Sequence, residues 1–103
     1  IEEVAYNSLL VYTKKKHYSH DLLSNQIKRY EKKIPLTINS MHKTNKLTFQ
    51  TLAHFKSGDI HEIGRSLDYA WNLKKKMNPL VSTKEIDLFY KKLKKIGAYG
   101  GKI

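Results

Sequence analysis

The sequence lacks several features that define whole classes of protein. None of its 103 residues is cysteine, which excludes a disulfide framework and a thiolate metal site. Its longest apolar run, Leu9–Tyr12, is far too short to cross a bilayer, and no basic region precedes it as in a signal peptide. We therefore expect a cytoplasmic protein without a membrane partner. A chain of this length forms one domain at most.

Acidic residues are also scarce: nine of them accompany 20 basic residues, and the net charge is +11. Such an excess is typical of nucleic-acid-binding proteins, which gain affinity by releasing counterions. However, only Arg29 and Arg65 are arginines, so 18 of the basic residues (20 − 2) are lysines, and bidentate recognition favours arginine. The charge therefore favours solvated lysine-rich helix faces. A small basic helical module that binds nucleic acid or an acidic protein is the alternative.

The first third of the chain is predicted to contain a strand and then a helix. Residues 4–13 are rich in β-branched and aromatic side chains and include the continuous run Leu9–Tyr12, a pattern typical of a buried strand. Ser19 then offers an N-cap for a helix that ends before Pro35. The apolar residues of that helix recur at the spacing of an amphipathic face: Leu23, Ile27, Tyr30 and Ile34.

Three further helices are predicted downstream. One begins near Thr37 and ends at Ser57–Gly58. Its buried face is expected to follow a seam with three-four spacing: Ile38, Met41, Asn45, Thr48, Leu52 and Phe55. An acidic capping box at Asp59–Glu62 starts the next helix, and Asn78–Pro79 closes it.

A second capping box, at Ser82–Glu85, starts the last helix, and Gly97 occupies the position suited to a left-handed residue after it. Together these patterns predict about four helices and one or two strands. The single tryptophan, Trp71, lies on the apolar face of its helix and is expected to be a core anchor. The matching seams would also suit an independent antiparallel helical bundle.

The last forty residues carry an ordered series of motifs. They are DYAWNLKKK at 68–76, IDLFY at 86–90 and GAYGGK at 97–102. This series resembles the C-terminal domain of the GHMP sugar kinases, and most of all that of the D-glycero-D-manno-heptose 7-phosphate kinases. Their segment is roughly E-A-W-x-L-K-K, I-D-x-x-Y and G-A-x-G-G-K-L, followed by a glycine-rich loop. The likeness extends more weakly back to Leu9–Thr13, and the chain stops just before that loop.

The resemblance implies an α+β fold. Residues 1–103 would be a truncated, mostly helical ferredoxin-like GHMP kinase C-terminal domain, with a sheet on one side and helices on the other. Its first strand would pair with strands beyond Ile103. An unpaired strand would otherwise be an aggregation hazard.

The resemblance also implies an activity. The parent protein would transfer the γ-phosphoryl group of ATP to a heptose 7-phosphate, giving the 1,7-bisphosphate used for nucleotide-activated heptose in lipopolysaccharide or capsule synthesis. An N-terminal domain of the same parent chain would bind most of the ATP and Mg²⁺ and carry the catalytic residues. No catalytic residue is therefore expected among these 103 residues, and the chain alone is expected to be inactive.

Gly100, Gly101 and Lys102 are the sharpest candidate binding residues. Glycines let backbone amides approach a phosphate closely, and in the family these residues would form the entrance to the third conserved GHMP motif. A terminal turn would need the same glycines. The alternative is that these glycines only allow the turn to form and bind no ligand.

Three other residues are candidates for contact with a sugar phosphate or nucleotide. Lys74 lies in the last turn of its helix, where a lysine also stabilises the helix dipole. Lys16 and His17 follow the predicted strand, where the family has a glycine after the threonine and an arginine further on. Here Lys14 replaces that glycine and His17 falls near the arginine position. The five histidines show no metal-binding spacing, and no metal site is predicted.

Overall fold

The computed structural model describes residues 2–13 and 19–103. These residues form an all-helical fold, with 76% helix and no sheet. The described chain contains five α-helices and one 3₁₀ turn. In chain order they are α1 (Glu2–Tyr6), α2 (Ser19–Glu31), α3 (Pro35–Ser57), α4 (Ile60–Met77), the 3₁₀ turn (Pro79–Val81) and α5 (Lys84–Lys95).

The predicted ferredoxin-like α+β fold is wrong, because the segment expected to be its first strand does not form one. Residues 2–6 form α1, and residues 8–13 have no regular structure. A strand needs a neighbouring strand to pair its backbone groups, and the described residues contain no strand that could pair with this segment. The apolar run stays in solvent, with Leu10 fully exposed. Glu2 and Glu3 lie in the first turn of α1, where negative charge favours a helix.

A tight connection joins α3 to α4, and its sequence signals are confirmed. Gly58 ends α3 with φ of 70°, a left-handed conformation that favours glycine. The Asp59 side chain then caps α4 by accepting a hydrogen bond from the Glu62 amide at 3.2 Å. A connection this short makes α3 and α4 antiparallel neighbours, and this pair is the centre of the molecule.

The face that α3 buries lies one residue away from the predicted seam. Thr37, Ser40 and Leu47 are buried, whereas Leu52 and Phe55 are 51% and 45% exposed. Hydroxyl residues can line this face because most of them bond to their own helix. Their acceptors are carbonyls four residues earlier: Ser40 to Leu36 at 2.7 Å, Thr44 to Ser40 at 2.8 Å and Thr51 to Leu47 at 2.9 Å.

The apolar core centres on α4. Trp71 is 3% exposed, which confirms it as a core anchor. Its indole nitrogen is buried without a hydrogen-bond partner in the described chain. The other buried apolar side chains are Leu47, Ile63, Leu73, Met77 and Val81.

Buried polar groups hold α2 against the end of α4. Asn78 ends α4, as predicted, and is fully buried. Its side chain accepts a hydrogen bond from Asn25 at 2.6 Å and donates one to the Leu22 carbonyl at 2.9 Å. Arg29 donates from Nε to the Met77 carbonyl at 3.1 Å. Since these buried groups are satisfied, the end of α4 can be covered without a desolvation penalty.

The start of α5 differs by one residue from the predicted capping box. The cap is Thr83, whose hydroxyl accepts from the Ile86 amide at 3.2 Å, while the Ser82 hydroxyl donates to Asp87 at 2.8 Å. Gly97, with φ of 119°, follows the helix end as predicted. No side chain of α5 is fully buried. In the part of the chain that the structure describes, no helix combines the length and apolarity needed to cross a bilayer.

Candidate functional site

Residues 99–101, termed here the docked segment, fold back onto the first half of α4. Gly64 provides the groove: a Cβ atom there would lie 2.5 Å from the Tyr99 Cβ, closer than two carbons can approach. The Tyr99 ring lies with its centroid 4.5 Å from that of His61 and 5.8 Å from the Arg65 guanidinium carbon. An aromatic side chain thus fixes the segment between two side chains of α4.

Gly100 lies directly on the backbone of α4. A Cβ at this position would clash with the Gly64 carbonyl oxygen and would lie 2.6 Å from the Asp68 amide nitrogen. Gly101 is different, because its nearest neighbour would be the Tyr90 ring at 3.7 Å, an ordinary contact. Close helix packing therefore accounts for glycine at position 100 but not at position 101.

Asp68, Tyr90 and Lys94 form a hydrogen-bonded group, the Asp68 cluster, beside the docked segment. The Tyr90 hydroxyl donates to Asp68 Oδ1 at 2.7 Å, and Lys94 Nζ lies 2.8 Å from Asp68 Oδ2. The Tyr90 ring also lies beside Gly101, 3.7 Å from the position that a Cβ atom would take there. One carboxylate therefore links α4, α5 and the docked segment.

The electrostatics of the cluster follow from this geometry. Burial by itself raises the pKa of Asp68, but the hydrogen bonds from Lys94 and Tyr90 and the charges of Lys94 and Lys75 outweigh it. The pKa therefore lies below the ordinary value of 3.8. Burial, followed by the hydrogen bond to Asp68 and its negative charge, raises the pKa of Tyr90 above the ordinary 10.0. Both shifts favour the charged carboxylate beside a neutral phenol.

The two shifts define the pH range in which the cluster is intact. The lowered pKa of Asp68 adds stability above pH 3.8, and this is lost as the pH falls through the lower folded value. The raised pKa of Tyr90 adds stability that is fully present below pH 10.0 and is lost as the pH rises through the higher folded value. The docked segment is therefore expected to be held between these limits.

A tyrosinate absorbance titration tests the environment of Tyr90. The chain has seven tyrosines, and we expect the titration curve to extend well above pH 10.0 because the pKa of Tyr90 is raised. Tyr90→Phe should remove this late part of the curve. Tyr69→Phe, at a site that is 47% exposed, removes one tyrosine as a control and should leave the late part in place. Identical curve shapes for the two variants would contradict the assignment.

The predicted site residues do not all come together. Gly100 and Gly101 lie in the docked segment, and Lys102 follows it with its side chain exposed. Lys74 is exposed in the last turn of α4, six residues beyond Asp68, or about 9 Å further along the helix axis. Among the described residues, no ion pair or hydrogen bond joins Lys74 to the docked segment. Lys16 and His17 lie outside the described residues.

Sequence reasoning missed most of the residues that hold the segment. In the sequence, Asp68 and Tyr90 stand out only as parts of the motif series. No sequence pattern used above indicates a site role for Gly64, Arg65 or Lys94. One signal was available: a glycine inside a helix costs about 1 kcal/mol relative to alanine and often marks a close approach of another chain segment. Gly64 is such a glycine.

The charged side chains around the docked segment are mostly paired. Arg65 lies over the Tyr99 ring and pairs with Glu62, Lys94 pairs with Asp68, and Lys102 follows the segment with its side chain exposed. In the described residues, no group of three or more histidine, aspartate or glutamate side chains is placed to hold a metal. Comparison with known proteins gives no further guide, since no family model, curated protein or solved structure matches this chain.

Proposed function

We propose that the chain is the C-terminal part of an ATP-dependent sugar kinase that phosphorylates a heptose 7-phosphate. One observation carries the proposal. Matched residues of the three motifs lie close together in the fold: the ring centroids of Trp71 and Tyr90 are 6.4 Å apart, and the Tyr90 ring is the nearest neighbour of Gly101. The proposal concerns the activity and does not require the sheet that the described residues lack.

The charge around the docked segment supports anionic ligands. ATP and a heptose 7-phosphate both carry phosphate groups, for which lysine ammonium groups and arginine guanidinium groups are suitable partners. Lys102 continues the segment with its side chain exposed, whereas Arg65 is paired with Glu62 and Lys94 with Asp68. In this proposal the docked segment forms one wall of the substrate cleft. Lys74, Lys16 and His17 remain candidate contacts for the same phosphates.

The rest of the machinery is assigned to an N-terminal domain of the same parent chain. ATP would supply the transferred phosphoryl group, and Mg²⁺ would neutralise its charge. Both would be bound mainly by that domain, which would also hold the group that accepts the proton of the sugar hydroxyl. In this proposal the described residues contribute one wall of the cleft. The product would be the 1,7-bisphosphate, for nucleotide-activated heptose in cytoplasmic glycan synthesis.

ADP release tests this proposal. The native protein that contains the chain should release ADP when both Mg²⁺-ATP and heptose 7-phosphate are present, and the 103-residue chain alone should release none. The same heptose without its 7-phosphate is the control substrate and should be turned over poorly. A native protein that releases no ADP with any sugar phosphate would contradict the proposal.

The alternative is a basic module for nucleic acid or an acidic protein, and the two arginines argue against its nucleic-acid form. Arg29 binds Thr37 and the Met77 carbonyl through Nε, and Arg65 pairs with Glu62 and covers the Tyr99 ring. Neither guanidinium is fully available for bidentate recognition. Tight DNA binding that falls steeply with salt would support the module instead.

A further inference from the structure

We infer that Asp68 is a positioning residue, which holds the docked segment against α4 through Tyr90 and thereby sets how tightly the phosphorylated sugar binds. The structural half of this inference stands on geometry alone. The half that concerns substrate binding rests on the proposed function. The two halves are tested by separate measurements.

Both oxygens of the Asp68 carboxylate are used. Oδ1 accepts from the Tyr90 hydroxyl at 2.7 Å, and Oδ2 lies 2.8 Å from Lys94 Nζ. The side chain is only 23% exposed, so water competes weakly for these oxygens. Hydrogen bonds to an ionised group are about twice as strong as neutral ones. Asp68 therefore fixes the position of Tyr90 relative to α4.

Tyr90 passes this constraint to the docked segment. Its hydroxyl donates to Asp68, and its ring is the nearest neighbour of Gly101, 3.7 Å from the position that a Cβ atom would take there. The remaining hold on the segment consists of the Tyr99 ring contacts and the packing of Gly100 on α4. Without the Asp68 charge, the Tyr90 hydroxyl keeps only a neutral acceptor, and the Tyr90 ring is held less firmly against Gly101.

If the docked segment is held less firmly, we expect the substrate to bind more weakly while the rate of phosphoryl transfer changes little. When a site is formed during only a fraction of the time, the apparent affinity falls by that fraction. Asp68 contacts neither the phosphoryl group nor the proton acceptor in the proposed arrangement. Loss of its charge is therefore expected to raise KM for the heptose 7-phosphate and to change kcat little.

Amide hydrogen exchange in the 103-residue chain tests the structural half. Asp68→Asn should accelerate exchange at Gly101 by about tenfold, the effect expected from losing one charge-assisted hydrogen bond. Tyr90→Phe, which removes only the hydroxyl, should accelerate it to a similar extent. Asp87→Asn is the matched control. Asp87 also faces a lysine, with Lys75 Nζ at 3.5 Å, but does not contact the docked segment, and exchange should stay within about twofold.

Unchanged exchange at Gly101 in both Asp68→Asn and Tyr90→Phe would overturn the positioning role. Kinetics of the native protein test the second half: Asp68→Asn should raise KM for heptose 7-phosphate by about tenfold with kcat within about twofold. Equal KM values for Asp68→Asn and Asp87→Asn would overturn the link to substrate binding. An inactive native protein would overturn the proposed function, and the exchange result would still decide the positioning role.

Discussion

Gly100→Ala is expected to release the docked segment. The added methyl group would clash with the Gly64 carbonyl oxygen and lie 2.6 Å from the Asp68 amide nitrogen. Both atoms belong to the backbone of α4, so neither can move aside without breaking the helix. We expect the variant to lose about 1–3 kcal/mol of stability, as overpacked sites do. If the proposed function is correct, the native protein with this change should lose most of its ADP release. Urea denaturation and ADP release measure the two effects.

The neighbouring glycine supplies the control for this experiment. A methyl group at position 101 would have the Tyr90 ring as its nearest neighbour, at 3.7 Å, which is ordinary van der Waals contact. Gly101→Ala should therefore keep the segment docked and nearly full stability. If the two variants are equally stable and equally active, the segment is not held on α4 as described.

Trp71→Ala is expected to have the largest effect on stability. Trp71 is 3% exposed and lies at the centre of the α4 core. Truncation of a buried tryptophan removes its transfer free energy and leaves a cavity, at a cost of about 3–5 kcal/mol. Small domains have total stabilities of about 5–15 kcal/mol, so this loss is a large part of the total, and the variant should unfold at a much lower temperature. Circular dichroism during thermal unfolding measures this loss.

Trp71→Phe separates packing from hydrogen bonding at the same site. The indole nitrogen has no hydrogen-bond partner in the described chain. Removing it therefore breaks no hydrogen bond and eliminates a buried donor that is unsatisfied. Phenylalanine keeps most of the ring volume. We therefore expect Trp71→Phe to cost much less than Trp71→Ala. Equal losses for the two variants would mean that the indole N–H contributes to stability.

Local signals in the sequence predicted α2 to α5 but not α1, which overlaps the segment expected to be a strand. Gly58, Asp59 and Gly97 each mark a helix end or start through the conformation or hydrogen bond that the residue itself makes. Such signals depend on a few neighbouring residues, and a single sequence contains them. The burial of Trp71 followed in the same way from the apolar face of its own helix.

Features that depend on distant partners were not predictable. The run Leu9–Tyr12 has the composition of a strand, but a strand exists only where another strand pairs with it. The buried face of α3 was misplaced because Thr37 and Ser40 look polar in the sequence, although their hydroxyls are satisfied inside the fold. The Asp68 cluster joins residues 22 positions apart, a contact that periodicity and capping rules do not describe.

The most direct test of the proposed kinase function is to identify the reaction product. Native protein containing this chain should be incubated with Mg²⁺-ATP and heptose 7-phosphate, and the mixture followed by phosphorus NMR. We expect a new phosphate-ester signal from the sugar 1-position beside the unchanged 7-phosphate signal, growing as ADP appears. If neither substrate is consumed and no new sugar phosphate forms after prolonged incubation, the proposed heptose phosphate kinase function is contradicted.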